Sequence, residues 1–333
     1  MRLSAHGICK RFGSVTALDR VDFELQDGEV HALVGENGAG KTTLMRILYG
    51  MERADAGTIE VNGRVVRISD PQTASRLGIG MVHQRFRLIP SLPVLENVVL
   101  GAEPNHLGWL DRGRARAELE TLSHQYGLEL DPDEVVGKLP VGLQQRVEIL
   151  RLLYRRSEVL IFDEPTAVLT PSESETLFHV IRNLKAQGKS IIYISHKLWE
   201  IMAIADRVTV LRLGRVQRSL SRADATPELL TRLMVGEELA PLRRQMDSAP
   251  GETLLELKGV SAMSDMGVPA LRAVSLQLRA GEILGVAGVE GNGQRELAEV
   301  IVGVRPVDAG TISIRGSDVT LASTQERRKR GLA

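Results

Sequence analysis

The sequence predicts an α/β fold in which strands alternate with helices around a largely parallel sheet. Two short apolar runs, Val30 to Val34 and Val159 to Phe162, have the composition of central strands that are buried on both faces. Helical spacing with charged residues on one side extends over 112–126 and 143–155. A further helix is predicted over 172–187, where it ends before a glycine.

Length and composition predict a folded protein of roughly two domains. The chain has 333 residues, of which 43% are hydrophobic, and its 42 basic residues balance its 42 acidic ones. A neutral chain has no overall field that attracts polyanions. Its first twenty residues lack a signal-peptide core, and its single cysteine, Cys9, has no disulfide partner within the chain. A cytoplasmic location is therefore expected.

An internal repeat relates the two ends of the chain. Gly35 corresponds to Gly288, an offset of 288 − 35 = 253, and the same offset carries the sequence Asp-Ala-Gly-Thr-Ile from 55–59 to 308–312. We therefore predict a complete first domain over 1–239, a linker over 240–252, and the N-terminal part of a second domain over 253–333. The linker has proline, glycine and mixed charge without apolar periodicity.

A glycine-rich loop follows the first apolar run and precedes the apolar helical residues 44–48, and it fits the P-loop (Walker A) pattern G-x-x-x-x-G-K-[ST]. The loop consists of Gly35, Glu36, Asn37, Gly38, Ala39, Gly40, Lys41, Thr42 and Thr43. Glycines turn backbone N–H groups toward phosphate, and the helix N-terminus adds positive potential. Lys41 would reach the β- and γ-phosphates, while Thr42 would be a Mg²⁺ ligand. The loop predicts an ATP site.

Two carboxylates follow the second apolar run. Asp163 and Glu164 stand at the end of a predicted parallel strand, where such sheets expose their functional edge. We expect Asp163 to hold Mg²⁺ and Glu164 to act as general base or to orient the attacking water.

These elements, in this order, resemble the ATP-binding cassette (ABC) superfamily. Gln84 matches the Q-loop glutamine, which touches Mg²⁺ or water, and His196 matches the switch histidine that contacts the γ-phosphate. Phe12 matches the aromatic residue that stacks on adenine. The resemblance implies a cassette with a mixed-sheet core, an antiparallel β subdomain and a helical subdomain, followed by the start of a second cassette.

The signature segment departs from the family's usual Leu-Ser-Gly-Gly-Gln. It consists of Leu139, Pro140, Val141, Gly142, Leu143 and Gln144. Pro140 replaces a serine whose hydroxyl and N–H would bind γ-phosphate, and proline supplies neither. Thr170 also stands where an aspartate is usual. Both changes bear on a partner's nucleotide, because the resemblance implies that one cassette's signature completes the other's site.

The second copy is altered at the complementary place. Gln294 and Arg295 replace the lysine and threonine of the first loop, and Asp265 stands where the offset places Phe12. We therefore expect one degenerate and one competent composite site, formed with a second cassette or a second copy. The signature that completes the Lys41 site is expected in a part of the second cassette outside these residues. The chain by itself is expected to bind Mg-ATP and to turn it over weakly.

Further segments resemble the ATPases of bacterial simple-sugar importers, and residues 78–84 and 139–149 look closest to their nucleoside branch. The resemblance implies an ATPase that is peripheral at the cytoplasmic face of the cell membrane. Integral membrane permease subunits and, through them, a substrate-binding protein would be its partners. Residues 85–108 are expected to contain the permease-docking surface. Their apolar residues Phe86, Leu88, Ile89 and Leu92 fit either that surface or the core of the helical subdomain.

Two alternatives stay open: a soluble tandem-cassette ATPase of translation or repair, and a nucleotide-binding regulator without turnover. The first predicts two intact loops and a long basic linker, whereas this linker is short and mixed. The basic run Arg327 to Arg330 is interpreted as a solvated helix face, and no nucleic-acid partner is predicted.

Overall fold

A computed structural model of the protein describes residues 1–83, 86–106, 109–236, 251–265, 267–288 and 291–332. The chain divides into two units, residues 1–239 and 240–333. The predicted linker over 240–252 lies outside the described residues except for Gly251 and Glu252.

The first unit alternates strands with helices. Its strands are β1 (Leu3–Phe12), β2 (Val15–Leu25), β3 (Val30–Val34), β4 (Ala56–Val61), β5 (Arg64–Val66), β6 (Ile79–Val82), β7 (Asn105–His106), β8 (Trp109–Leu110), β9 (Val159–Asp163), β10 (Ser190–Ile194), β11 (Arg207–Arg212) and β12 (Arg215–Ser221). Its helices are α1 (Lys41–Leu48), α2 (Pro71–Arg76), α3 (Val94–Val99), α4 (Arg112–Tyr126), α5 (Val141–Tyr154), α6 (Pro171–Ala186), α7 (Leu198–Ile204) and α8 (Pro227–Val235). None of the helices in the described ranges is long and apolar enough to cross a membrane.

A six-stranded sheet forms the centre of this unit, in the order β12-β11-β3-β10-β9-β6. Five of its strands run parallel, and β12 pairs antiparallel with β11. All residues of β3, β9 and β10 are buried, which explains why their sequences are continuous apolar runs without alternation. The predicted α/β fold is thus confirmed.

A second, antiparallel sheet has the order β2-β1-β4-β5. Its apolar residues and those of α1 pack together with one face of the six-stranded sheet in a single core. Val21, Phe23 and Leu25 of β2 are buried and alternate with exposed or half-buried residues, as in a strand with one covered face. This sheet and the central sheet therefore hold α1 between them.

The helices α3, α4 and α5 pack with the other face of the central sheet. Helix α5 begins at Val141, earlier than the predicted 143, because Pro140 adopts the backbone angle that suits a residue next to the first helical turn. Helix α4 matches its predicted range over 112–126. This part of the chain carries the signature segment.

The second unit repeats the start of the first. It contains β13 (Thr253–Met263), β14 (Pro269–Arg279), α9 (Gln294–Val302), β15 (Ala309–Ile314), β16 (Ser317–Asp318) and α10 (Thr324–Lys329). Its sheet has the order β14-β13-β15-β16, which is the order of β2-β1-β4-β5. The offset of 324 − 71 = 253 relates the first residues of α10 and α2. Both units therefore share one local architecture.

One expected strand of the second unit is absent from its described residues. By the repeat offset, residues 283–287 correspond to β3, yet these residues have no regular secondary structure. Ile283 is 95% exposed, whereas its counterpart Val30 is 1% exposed. A central parallel strand needs neighbours on both sides. In the first unit, β10 and β11 provide them, and the described residues of the second unit contain no counterpart of either.

The interpretation of the basic run as a solvated face is wrong for Arg327. This residue is 2% exposed, and its guanidinium donates hydrogen bonds to the carbonyl oxygens of Ala322, Val300, Ile301 and Thr320. Two of these carbonyls belong to the last turn of α9, where a cation compensates the helix dipole. Burial lowers the pKa of Arg327. Arg327 is therefore a structural anchor of α10.

Candidate nucleotide-binding site

Three adjacent strands deliver the predicted site residues to one edge of the central sheet. The parallel strands β3, β10 and β9 are neighbours in that order. Their carboxyl ends lead to the loop before Lys41, to His196 and to Glu164. In open parallel sheets this edge is where ligands bind. The sequence order of these residues differs from their spatial order, and the sheet brings them together.

The phosphate loop requires two of its glycines for close backbone contacts. A β carbon at Gly40 would lie 2.6 Å from the carbonyl oxygen of Ala17, and one at Gly35 would lie 2.2 Å from that of Leu211. Gly40 also has a φ of +104° directly before α1. Ala39 is buried, Glu36, Asn37, Gly38 and Thr42 are exposed, and Thr43 is half-buried. The loop thus lies tightly on the sheet with its tip exposed.

Lys41 points back into this loop. It is 5% exposed, and its Nζ donates hydrogen bonds to the carbonyl oxygens of Gly35 at 2.7 Å and Glu36 at 2.9 Å. Burial lowers the pKa of Lys41, while Glu164 and Asp163 act in the opposite direction. An ionised phosphate oxygen is a stronger acceptor for an ammonium group than a carbonyl oxygen is.

Asp163 and Glu164 have different environments. Asp163 is 6% exposed, and burial, followed by the charge of Glu164, raises its pKa to about 6. Glu164 lies at the end of β9 with a φ of +48°, and its N–H donates to the carbonyl oxygen of Ile194 at 3.0 Å. A residue other than glycine in this region is strained, which is common at functional sites. The strand end therefore holds two neighbouring carboxylates in fixed, distinct positions.

His196 contacts Glu164 directly. Its Nδ1 donates a hydrogen bond to Oε1 of Glu164 over 3.0 Å, although 32 residues separate the two in sequence. The His196 side chain is 47% exposed, and that of Glu164 is 20% exposed. The carboxylate that is predicted to act on water is thus oriented by an imidazole that remains accessible to a ligand.

Phe12 lies at the end of β1 and is 46% exposed. The Nζ of Lys10 lies 5.1 Å from the centroid of its ring, a distance at which a cation is attracted by the ring face. Such an exposed ring can stack on a planar base. Gln84, the predicted Q-loop residue, lies outside the described residues.

The signature segment begins helix α5 at a place separate from the phosphate loop. Leu139 is buried, Leu143 packs against the core, and Gln144 Nε2 donates to the carbonyl oxygen of Leu139 at 2.9 Å. Glu173 lies beside Gly142, where an added β carbon would be 3.1 Å from its Oε1. Within the described ranges, no hydrogen bond or ion pair joins 139–144 to 35–43. The role of this segment in a second nucleotide site stays a prediction.

The second unit replaces the site residues with ion pairs. Arg295 Nε lies 2.8 Å from Glu299 Oε1, and Arg305 contacts both Glu299 and Asp265 at 2.8 and 2.7 Å. Asp265 is at the position of Phe12, so an exposed carboxylate stands where the first unit has a stacking ring. This arrangement supports the prediction that the second loop does not bind Mg-ATP in the usual manner.

Sequence reasoning missed two buried carboxylates of the first unit, Glu148 and Glu200. Glu148 on α5 accepts a hydrogen bond from the backbone N–H of Arg87 at 2.6 Å and one from Arg151 at 2.7 Å. Glu200 on α7 contacts residues on both sides of His196. Both glutamates are fully buried, and such residues are rarely buried without partners. Their burial comes from the fold, so the sequence carries no direct signal for it.

Comparison with a family model places the site in a known context. Residues 18–167 match the model described as ABC transporter. The matched range contains the phosphate loop, the signature segment and both carboxylates of the β9 end.

Curated relatives resemble the chain over most of its length. It is 46% identical over 313 residues to the nucleoside import ATP-binding protein NupA of Lactococcus lactis subsp. cremoris, covering 94% of this chain and 62% of that protein. The guanosine import ATP-binding protein NupO of Bacillus subtilis is 44% identical over 94% of the chain and 61% of its own length. The ribose import ATP-binding protein RbsA 1 of Rubrobacter xylanophilus is 46% identical over 99% of the chain and 65% of its own length. The chain thus spans less than two thirds of the length of these relatives.

Solved structures of ATP-binding cassettes share the fold of most of this chain. The protein cbiO1 of Clostridium perfringens, part of the ABC transporter complex cbiONQ, is 26% identical with a TM-score of 0.61, covering 71% of this chain and 95% of that one. The ADP conformation of MJ1267, an ATP-binding cassette of an ABC transporter, is 25% identical with a TM-score of 0.61, over 71% of this chain and 100% of that one. Since the family model, the import ATP-binding relatives and the solved cassettes agree, this chain contains an ABC transporter ATP-binding domain.

Proposed function

We propose that the chain is the ATP-binding and ATP-hydrolysing part of an ABC importer that takes up a nucleoside or a simple sugar. The observation that carries the proposal is the 3.0 Å contact between Glu164 and His196 beside the buried Lys41 and Asp163. These groups converge from three adjacent strands at the edge where a phosphate loop begins. The cargo class is supported by relatives that are named for nucleoside, guanosine, ribose and glucose import.

The chain's own groups divide the chemistry between them. The loop N–H groups and Lys41 bind the phosphates, and Glu164 accepts a proton from the attacking water while His196 holds its carboxylate in place. Thr42, Asp163 and Gln84 would hold Mg²⁺, since hydroxyl, carboxylate and amide oxygens suit this cation together with phosphate oxygens. Bound Mg²⁺ would offset the charge that develops on the phosphates.

Phe12→Ala is expected to weaken ATP binding about 5- to 30-fold, because stacking of a base on an aromatic ring contributes roughly 1 to 2 kcal/mol. Equilibrium binding of ATP measured by calorimetry checks this. Phe12→Tyr keeps a π-face and should bind ATP nearly as tightly as the unmodified chain. Unchanged affinity in Phe12→Ala would remove Phe12 from the base site.

A basic cleft offers a surface for the permease. Tyr49, Arg76, Gly101 and Arg155 belong to its lining, and its volume is 570 Å³. Gly101 lies in the predicted docking region, 85–108. Within that region Ile89 is exposed, Phe86 and Leu92 are half-buried, and Leu88 packs against the core. Leu88 thus fits the core interpretation, while Ile89 and the cleft support docking.

Arg76→Glu is expected to lower cargo uptake about tenfold or more while ATP binding is kept, because a reversed charge at an interface opposes association. Uptake of radiolabelled guanosine, ribose and glucose would be measured in cells from which the gene has been removed. These cells would carry either the unmodified full-length protein or its Arg76→Glu variant. Arg64→Glu, an exposed arginine outside the cleft, is the matched control. If uptake of all three cargoes is the same with and without the gene, the importer function is contradicted.

We further propose that the protein is peripheral at the cytoplasmic face of the cell membrane. There the permease would connect it with a substrate-binding protein. A second cassette would supply the signature for the Lys41 site. The balanced charge of the chain and the ion pairs of Arg295 and Asp265 in its second unit favour this function over a nucleic-acid-associated ATPase.

A further inference from the structure

A fully buried glutamate lies directly behind the candidate catalytic pair. Glu200 on α7 is 0% exposed, and its carboxylate accepts hydrogen bonds from three hydroxyl groups. Tyr193 donates at 2.9 Å, Ser195 at 2.7 Å, and Thr166 donates to the other oxygen. Lys197 Nζ lies 3.4 Å from the same carboxylate. None of these groups has a role in the chemistry proposed above.

Three of the four donors come from the two loops that carry the catalytic pair, and the fourth, Tyr193, lies in β10 just before the loop of His196. Ser195 and Lys197 flank His196, and Thr166 follows Glu164 by two residues. Lys197 Nζ also donates to the carbonyl oxygen of Thr166 at 3.2 Å, which links the loops a second time. Glu200 therefore contacts both loops at once, within two residues of each member of the Glu164 and His196 pair.

A buried carboxylate constrains its surroundings because it must keep its donors. Removing a carboxylate from water is costly unless hydrogen bonds and an opposite charge compensate it, and here both are present. Burial and the neighbouring Glu200 raise the pKa of Tyr193 above its usual range, so its hydroxyl remains a donor. Movement of either loop would leave donors or the carboxylate without partners.

We infer that Glu200 is a positioning residue that fixes the loop containing Glu164 relative to the loop containing His196. It acts through these loops, since its own contacts are with Thr166, Tyr193, Ser195 and Lys197. The consequence for turnover rests on the proposed function. The consequence for the placement of His196 does not, and it can be measured separately.

Glu200→Gln tests this inference in the full-length protein, since it keeps the size of the side chain but turns one acceptor into a donor that faces hydroxyl groups. We expect kcat for ATP to fall about 10- to 100-fold, as for a small displacement of reacting groups, with KM changed less than about twofold. Selective ¹⁵N labelling of the 7 histidines would report the imidazole of His196 independently of turnover. Its resonances should shift in Glu200→Gln.

Glu29→Gln is the matched control. Its side chain is 10% exposed and pairs with Arg207, but it lies at the opposite end of β3 from the phosphate loop. We expect kcat within twofold and unchanged His196 resonances. If Glu200→Gln does not fold, Thr166→Val removes one tie between the loops with little change of shape and should produce the same shift. Unchanged His196 resonances in a folded variant would overturn the inference, whereas an inactive unmodified protein would contradict only the proposed function.

Discussion

Lys41→Ala in the full-length protein is expected to lower ATP turnover by about 100-fold or more. The reason is that it removes a fixed positive charge that would stabilise the negative charge developing on the phosphates. Lys41 is the cation that the structure buries inside the phosphate loop, within 2.9 Å of the loop carbonyl oxygens. Alanine would also leave those carbonyls without the donor that now satisfies them. Turnover measured by phosphate release, together with ATP binding, checks the prediction.

Lys185→Ala is a suitable control for Lys41→Ala. Lys185, in the last turn of α6, forms an exposed ion pair with Asp206, and such pairs contribute about 0 to 1 kcal/mol. Its turnover should stay within twofold of the unmodified protein. Normal turnover in Lys41→Ala would contradict the expectation of one competent and one degenerate composite site. It would require hydrolysis at a site formed by the second loop, where Gln294 replaces the lysine.

The parts of the fold that sequence predicts best are those whose environment is local or uniform. Val30 to Val34 forms a buried strand, and α4 covers 112–126, because apolar runs and helical periodicity are readable without knowledge of neighbours. The run at 283–287 has an equally apolar sequence but forms no strand in the described unit. Its state depends on ladder partners, which a local pattern cannot supply.

The candidate site shows the same division. The predicted roles of Lys41 and Glu164 come from motifs and that of His196 from the family resemblance, but the contact between Glu164 and His196 depends on the order β3-β10-β9. The hydroxyl groups around Glu200 come from separate stretches of chain, so no spacing predicts them. Arg327 was misread because its partners are backbone carbonyl groups, which leave no trace in the sequence.

Glu164→Gln is expected to lower turnover about 100- to 10,000-fold while ATP binding is retained, because glutamine cannot accept the proton of the attacking water. Its amide oxygen can still accept the hydrogen bond from His196, and it can adopt the same left-handed backbone at no greater cost than glutamate. The loss should therefore fall on kcat and leave the fold intact.

Loss of the Glu164 charge also acts on its neighbours in a defined direction. That charge helps to raise the pKa of Asp163 and opposes the lowering of the pKa of Lys41, so both pKa values should fall in Glu164→Gln. A lower pKa leaves Asp163 more fully ionised at neutral pH, which favours Mg²⁺ and should preserve nucleotide binding. Single-turnover hydrolysis, with equilibrium ATP binding measured alongside, separates the two effects, and Glu175→Gln on the exposed face of α6 is the control. Unchanged single-turnover rates would exclude Glu164 as the base, whereas loss of ATP binding with the fold preserved would assign it to binding instead.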